Sequence, residues 1–472
     1  MLDNFWDHID RYRKLGFDPI RWIPTCSNEV DAHVLRAALQ DVKKSTVRIS
    51  PSWFESFHHI DGKSPELTRR VFGLVNPVVD KEVEVKRVLA IFRVHTGAGE
   101  YPQLLAETIQ EFLKNFNAKV SSSCVSAVLT EHQEAQFAMF DYVELHRGDK
   151  VGFMPAVTAV TQVTDVTRAP DADIHSSIAM TSAIETLSLL GCGVSSSFKL
   201  FPVYDAPTEE ILDRIRSNLD AFTSRYNLAM EDYNALKTGK LFYGTSAMAT
   251  TTKELPTRYD QLEEGMEIIV TNKFGGLPAM SLYTLARMDS ENIIKYETSN
   301  VSFQAITAAK DEAVKSLSEP HFALGKIVAK YCPDFGSPFD KTAHITAVYP
   351  VGSKGIFALG ELSELANSHL VINNVPVRHE EIARFAAKEF LVDNATASIN
   401  GCHLIVATKD VVSLIIEDLR KHNFMPEQIG FVSKKGSSSV AFAGKEGADP
   451  YVAAKAKLAR LSSEQIPQPT PG

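Results

Sequence analysis

The chain has 472 residues, of which 44% are hydrophobic and 23% charged, and its formal net charge is −9. That length exceeds one ordinary hydrophobic core, so two or three domains of a soluble globular protein are expected. The acidic balance argues against a nucleic-acid binder, and no apolar run is long enough to span a bilayer.

The start, Met1-Leu2-Asp3-Asn4-Phe5-Trp6-Asp7, carries acidic residues and no apolar core, so it is not expected to act as a secretory leader. Cys26, Cys124, Cys192, Cys332 and Cys402 are far apart and form no metal-type pair. A reduced, cytoplasmic compartment is the matching expectation. Residues 1–82 read as a partly helical N-terminal extension. Ser27 or Asn28 can cap a helix through Val30, Val34, Leu35, Ala38, Leu39 and Val42, and Ser64-Pro65-Glu66 opens another. Trp6, Trp22, Trp53, Phe54 and Phe57 read as core rather than as a docking surface. His58-His59 has no spaced ligand partner and reads as a packing or surface pair.

An extended apolar segment, Val83 to Val94, leads into His95-Thr96-Gly97-Ala98-Gly99-Glu100-Tyr101-Pro102 and a helical run, Gln103 to Phe116. A strand, a glycine loop and a helix N-terminus can bring backbone N–H groups and a helix dipole up to a phosphate. The loop lacks the P-loop Lys-Ser/Thr pair and the full dinucleotide glycine pattern. Alone, it reads as a tight turn.

Beyond it the texture is mixed. Val151 to Val166 reads as extended. Ile174 to Gly191 reads as a helix, and Pro207-Thr208-Glu209-Glu210 starts another through Ile211, Ile215, Leu219 and Phe222. Leu241 to Thr251 is a strand. Gly265 to Asn272 is a buried strand that enters a second glycine turn, Phe274-Gly275-Gly276, and then a helix. Further helices are expected at Phe303–Leu317, Phe322–Tyr331, Gly355–Ala366, Glu380–Phe390 and Val411–Lys421. Extended segments are expected at His344–Val351, His369–Ile372, His403–Ala407 and Gln428–Val432. The proline-bearing end, 462–472, reads as a disordered tail. The sum is an α+β protein whose α/β units, 83–260 and 261–461, meet near residue 260.

Two apparent motifs fail. His379-Glu380-Glu381 lacks a zincin's second histidine and reads as a helix start, and Gly244-Thr245-Ser246-Ala247-Met248 is no nucleophile elbow. Asp165, Asp171 and Asp173 near Arg168 could hold Mg²⁺, but a solvated loop with a helix-capping aspartate is the preferred reading.

The order of these segments resembles selenophosphate synthetase (selenide, water dikinase) and the wider aminoimidazole ribonucleotide synthetase-like superfamily over about residues 90–445. The resemblance rests on His95 to Gly99 with Pro102 and Leu105, on Val163-Thr164-Asp165 with Pro170-Asp171 and Ile178 to Ile184, and on Gly265 to Gly276. Gly355 to Gly360 and Asn400 to Val406 complete it. It implies two α/β domains per chain, dimerisation through the first domain's sheet, and ATP held by Mg²⁺ ions while its γ-phosphate passes to selenide.

The departures are specific. Glu100 and Tyr101 stand where the family carries a cysteine or selenocysteine and a lysine, and a glutamate there would repel a triphosphate. The family's paired aspartates fall at about Ala135-Gln136, and its first-domain double glycine falls near Glu231-Asp232-Tyr233-Asn234. Of its metal aspartates, Asp165 is retained, one falls at Thr186 with Glu185 beside it, and one falls at about His344. What the resemblance implies is therefore nucleotide or phosphate contacts from Gly97, Gly99, Thr164, Gly275 and Gly276, and metal contacts from Asp165, Glu185 and His344. ATP and Mg²⁺ would be the cofactors; no catalytic residue is assigned. With so few carboxylates kept, a Mg²⁺-ATP cluster loses its charge compensation. The favoured expectation is a homodimeric, non-catalytic binding or accessory subunit in sulfur, selenium or cofactor metabolism, with a partner docking through residues 1–82. The alternative is an ATP-dependent phosphotransferase with a rebuilt metal site.

Overall fold

A computed structural model describes residues 5–16, 127–129, 140–142, 144–146, 151–158, 165, 167–232, 241–334, 337–389, 392, 394–443 and 447–452. The extended segment 83–94, the loop and helix from His95 to Phe116, the helices expected after Ser27 and Ser64, the tail, and Gly97, Gly99 and Thr164 lie outside the described residues.

The first sheet is built from β3 (Glu144–His146), β4 (Val151–Thr158), β5 (Lys199–Asp205), β6 (Ala229–Met230) and β7 (Phe242–Thr251), in the order β3-β4-β7-β5-β6. β7 pairs antiparallel with β4 on one side and β5 on the other. β1 (Ala127–Leu129) and β2 (Phe140–Tyr142) form a separate antiparallel pair. β5 escaped the sequence reading because Pro202 interrupts its pattern. Pro202 faces Thr245 of β7, and β6 pairs only with Lys199 and Leu200, so the proline falls where β5 has a described neighbour on one side alone.

The second sheet runs β13-β10-β12-β8-β11-β9, from β8 (Glu267–Val270), β9 (Ala347–Pro350), β10 (Ser368–Ile372), β11 (His403–Ala407), β12 (Glu427–Lys435) and β13 (Ser439–Phe442). Its neighbours are antiparallel except β10 and β13. The central strands are apolar on both faces, and their alternation divides them between two cores. Ile268, Val270, Tyr349, Leu404 and Val406 belong to a core of the second sheet alone. Ile269, Val348, Ile405 and Ala407 face the other way, into a core that also holds Leu200, Tyr204, Ala247 and Ala249 of the first sheet. Strands are exchanged between sheets between Thr251 and Glu267, yet this core is continuous across that point.

The element between the sheets is α2 (Asp173–Leu189). Ile178, Ala179, Met180, Ala183, Ile184 and Leu187 are all buried, so the helix is apolar around its circumference, as an internal helix must be. It packs on β4 and β7, on α3 (Glu209–Tyr226), and on α6 (Phe303–Ser318) and α7 (Phe322–Lys330) from the second half. α3 is one-sided by contrast, burying Ile215, Leu219 and Phe222, and it stops at Asn227 in the left-handed conformation.

The remaining helices are α1 (Phe5–Lys14), α4 (Leu277–Met288), α5 (Glu291–Thr298), α8 (Ala358–Ala366), α9 (Glu380–Glu389) and α10 (Lys409–Lys421). The helix expected from Gly355 starts instead as a 3₁₀ turn, Gly352–Phe357, with Gly355 at φ 55. A Cβ at Gly355 would lie 2.4 Å from Thr396 Oγ1, so the kink is a close approach that only glycine permits. α1 buries Phe5, Ile9 and Tyr12 in the shared core. That face of the N-terminal extension is thus occupied within the chain, while Trp6 is exposed. No described helix is long and apolar enough to cross a membrane.

Candidate functional site at the seam between the sheets

Because α2 is buried over most of its length, a buried charge on or beside it must find a partner inside the protein. Asp165 precedes the helix in a turn closed by Arg168 N–H donating to its carbonyl, 3.0 Å. Its Oδ1 accepts from the Thr167 N–H at 3.1 Å and the Thr167 hydroxyl at 2.5 Å. Its Oδ2 lies 2.5 Å from Lys310 Nζ of α6, and the two side chains are 1% and 5% exposed. Lys310 also sits 4.9 Å from the centre of the Tyr283 ring, which stacks on Phe303. Burial alone would raise the Asp165 pKa; the Lys310 ammonium and the Thr167 donors outweigh it and hold the carboxyl below its ordinary range.

Glu185, about three turns into α2, reaches the second sheet. Its Oε2 meets His321 Nδ1 at 3.0 Å, its Oε1 meets His403 Nε2 at 2.8 Å, and the Gly401 N–H donates to Oε1 at 2.5 Å. The loop that presents Gly401 is itself fixed. The Thr271 hydroxyl and the Asn272 amide both donate to the Gly401 carbonyl, and the His403 N–H donates to the Thr271 hydroxyl. Burial would raise the Glu185 pKa, but His321, His403 and Gly401 stabilise the carboxylate and the pKa is strongly lowered. For His321 burial acts downward and the Glu185 charge upward; the charge prevails and its pKa is raised.

A third buried group stands at the start of α2. His175 Nε2 lies 3.1 Å from both the Tyr12 hydroxyl and the Ala169 carbonyl, and the Tyr12 hydroxyl donates to the Arg168 carbonyl at 2.6 Å. Burial pushes the His175 pKa down to about 4, against the pull of Asp165. α1 is therefore pinned to the turn that carries Asp165.

The remaining expected site residues lie elsewhere. His344 accepts the Asp340 N–H at Nδ1, 3.0 Å, in a turn of its own. Among the described residues there is no group of three or more His, Cys, Asp or Glu that could hold a metal, so Asp165, Glu185 and His344 are not assembled into one ligand set. Gly275 and Gly276 have positive φ, 92° and 106°. The Gly275 N–H donates to the Thr396 carbonyl and the Ser398 hydroxyl, at 3.1 and 3.0 Å. A Cβ on Gly276 would lie 2.8 Å from Ile399 Cγ2. This glycine turn is packed under the 394–400 segment, and its Gly275 donor is already used. His379-Glu380 does begin a helix, α9, with His379 Nε2 3.0 Å from Glu312.

A bound Mg²⁺–nucleotide needs anionic oxygen ligands for its metal. The described carboxylates that the resemblance offers are consumed by Lys310, Thr167, His321, His403 and Gly401, so they do not fit that group. Lys310, His321, His403 and Tyr12 are partners that no motif in the sequence marked as site residues. Lys310 had a usable signal: it lies on the same face of the 303–317 helix as Ile306, Ala313, Val314 and Leu317, where a lysine needs a buried partner. His403 opens an otherwise apolar strand. His321 and Tyr12 had none.

No family model matches the chain, and no curated protein does. Among solved structures, the chain is similar to thiamine-monophosphate kinase from Aquifex aeolicus, with 13% identity, 72% of this chain and 97% of that one covered, and a TM-score of 0.45. It is similar to thiamine-monophosphate kinase from Stenotrophomonas maltophilia K279a, with 14% identity, 65% and 89% covered, and a TM-score of 0.44. It is also similar to the E. coli hydrogenase maturation protein HypE, with 13% identity, 64% and 84% covered, and a TM-score of 0.40. At these values the likeness supports no statement about chemistry, and the resemblance to selenophosphate synthetase rests on the sequence patches alone.

Proposed function

We propose that this chain is a non-catalytic binding or accessory protein, one that keeps a synthetase-like α+β architecture without the dikinase reaction its sequence patches resemble. One observation carries the reading: the acidic residue retained from the resemblance, Asp165, is neutralised by Lys310 inside the protein, both side chains being at least 95% buried. Glu185, the substitute ligand beside it, is held in the same way by two histidines and a backbone N–H. A Mg²⁺-bound triphosphate at these groups would have to strip each pair, leaving a buried lysine uncompensated, at a cost of about 3–5 kcal/mol per pair. The seam thus serves to hold the two sheets together. The setting in sulfur, selenium or cofactor metabolism, and a homodimer as the working form, belong to this proposal and follow from the resemblance.

The test is a calorimetric titration of the full chain with a non-hydrolysable ATP analogue, with and without Mg²⁺, alongside an assay for AMP or ADP formed in the presence of selenide or sulfide. No Mg²⁺-dependent binding and no turnover are expected. Mg²⁺-dependent binding, or turnover abolished by Asp165→Asn, would replace this reading with that of an active ATP-dependent phosphotransferase.

A further inference from the structure

A cleft of about 400 Å³ opens on the second sheet, lined by residues that play no part in the seam. Its volume lies within the range of small-molecule sites. Its frame is fixed before any ligand arrives. The loop 373–378 is tied by Phe274 N–H to the Pro376 carbonyl, by Arg378 N–H to the Phe274 carbonyl, and by Asn373 N–H to the Ile429 carbonyl, all between 2.8 and 2.9 Å. A cleft framed by main-chain bonds loses little conformational entropy on binding.

The lining carries two cations and two carboxylates. Lys273 Nζ stands 3.6 Å from Glu427 Oε1, which is an ion pair too long for a hydrogen bond. The other oxygen of Glu427 accepts from the Asn374 amide at 2.9 Å. Arg384 Nε donates to Glu380 Oε1 at 2.9 Å, and the Tyr451 hydroxyl donates to the same oxygen at 2.9 Å. The Arg384 guanidinium also lies over the Tyr451 ring, 5.1 Å from its centre. Lys273 is close enough to Glu380 to help lower its pKa, behind the larger effects of Tyr451 and Arg384. Both pairs are partly open to water: Lys273 and Arg384 are 38% and 41% exposed, and Glu427 and Glu380 are 34% and 55% exposed.

This distribution selects a ligand by its own charge pattern. A multiply charged anion would meet Glu380 and Glu427 as well as the cations, and a polycation would meet Lys273 and Arg384. A molecule with one ammonium and one carboxylate matches both signs at once. The guanidinium is the natural carboxylate partner, because its planar fork carries five N–H donors. Phe442, which is partly exposed, offers aromatic surface for an apolar side chain. We propose that this cleft binds a small zwitterion, an α-amino acid or dipeptide with an apolar side chain, its carboxylate at Arg384 and Lys273 and its ammonium at Glu427. The proposal does not depend on whether the seam binds a nucleotide.

The experiment is isothermal titration of the full chain with L-phenylalanine and with the dipeptide Ala-Phe, each compared with its N-acetylated and its C-amidated form. Saturable binding of a zwitterion is expected, weakened at least tenfold by masking either charge. Arg384→Gln and Glu427→Gln are each expected to weaken it at least tenfold. Both side chains are partly exposed, so each variant's melting temperature, measured in parallel, reports whether the fold is kept. The double variant with both charges removed serves as a second probe of the site. Three outcomes would overturn the proposal: no binding of either zwitterion at millimolar concentration, equal binding of the masked forms, or unchanged binding by folded Arg384→Gln. Binding of inorganic phosphate in place of the zwitterions would also overturn it. None of these outcomes bears on the ATP titration, so the two readings fail separately.

Discussion

Glu185 shows how strongly one buried charge can couple distant parts of a chain. Its carboxylate has three donors or partners, His321, His403 and Gly401, all more than 130 residues away. Removing the charge in Glu185→Gln leaves His321 without its counter-ion and His403 and the Gly401 N–H with a weaker acceptor, and is expected to cost about 3–5 kcal/mol. The pH dependence follows from the two histidines whose pKa values move in opposite directions. His321 is raised, so its contribution is fully present below the ordinary histidine value of 6.5 and is lost as pH rises through the raised value. His175 is lowered from 6.5 to about 4, so the native state resists its protonation, and stability falls as pH drops from 6.5 towards 4. The latter amounts to about 3 kcal/mol when complete, as a shift of this size converts at about 1.4 kcal/mol per unit. Urea midpoints measured against pH are therefore expected to peak near pH 6.5 and to decline on either side, towards 4 and towards the raised value of His321. Glu185→Gln should flatten the alkaline limb and His175→Gln the acid limb. An unchanged profile in both variants would refute this account of the seam.

Among the elements, the contact between the 190–194 loop and α7 is the tightest in the seam. A Cβ on Gly325 would lie 2.1 Å from the Cys192 carbonyl oxygen, and one on Gly193 would lie 2.3 Å from the Lys326 backbone nitrogen. Two glycines from the two halves meet backbone to backbone, and neither main chain can yield as a flexible side chain would. Gly325→Ala is expected to destabilise the protein by about 3 kcal/mol, with Gly265→Ala as a contrast, since nothing lies within 4 Å of that site. Gly265 has φ 86, so its cost is conformational strain alone, about 1 kcal/mol. Equal losses in the two variants, by chemical denaturation, would show that close approach is not what fixes Gly325. Helices with a one-sided apolar stripe were legible in advance. The expected 303–317, 322–331 and 380–390 are found at 303–318, 322–330 and 380–389. α5 and β13 were not legible. α5 is short and exposes Ile294, and the strand β13 is half-buried throughout, so neither carries a clean period.

At the level of the molecule, the core arrangement decides cooperativity. Residues from Phe5 to Phe424 share one core, with α2 as its central element, while the outer face of the second sheet has a core of its own. Opening the seam would expose Ile178, Ile184, Leu187, Leu324 and Val328 together, each of which contributes about 1.5–3 kcal/mol by burial. A calorimetric scan of the full chain is accordingly expected to give a single main transition for both sheets, with its calorimetric enthalpy matching the van't Hoff value. Two resolved transitions, or an independently folded 252–452 fragment, would contradict a shared core. The length and mixed patterning led to the expectation of two units meeting near residue 260. Strands pass from the first sheet to the second between Thr251 and Glu267, and buried residues of both sheets share one core.

The sequence by itself determined the α+β class, most helix and strand positions between 173 and 435, and the glycine turn at Gly275-Gly276. These are set by local periodicity and by backbone conformations that neighbouring residues specify. Asp165 and Glu185 stood out in the sequence as metal-ligand candidates implied by the resemblance. What they do was decided only by tertiary structure. Lys310 lies 145 positions beyond Asp165 and His403 lies 218 beyond Glu185. A carboxylate that could equally ligate a metal or close an ion pair is assigned its role by whichever partner the fold brings within about 3 Å, and no local pattern encodes that distance.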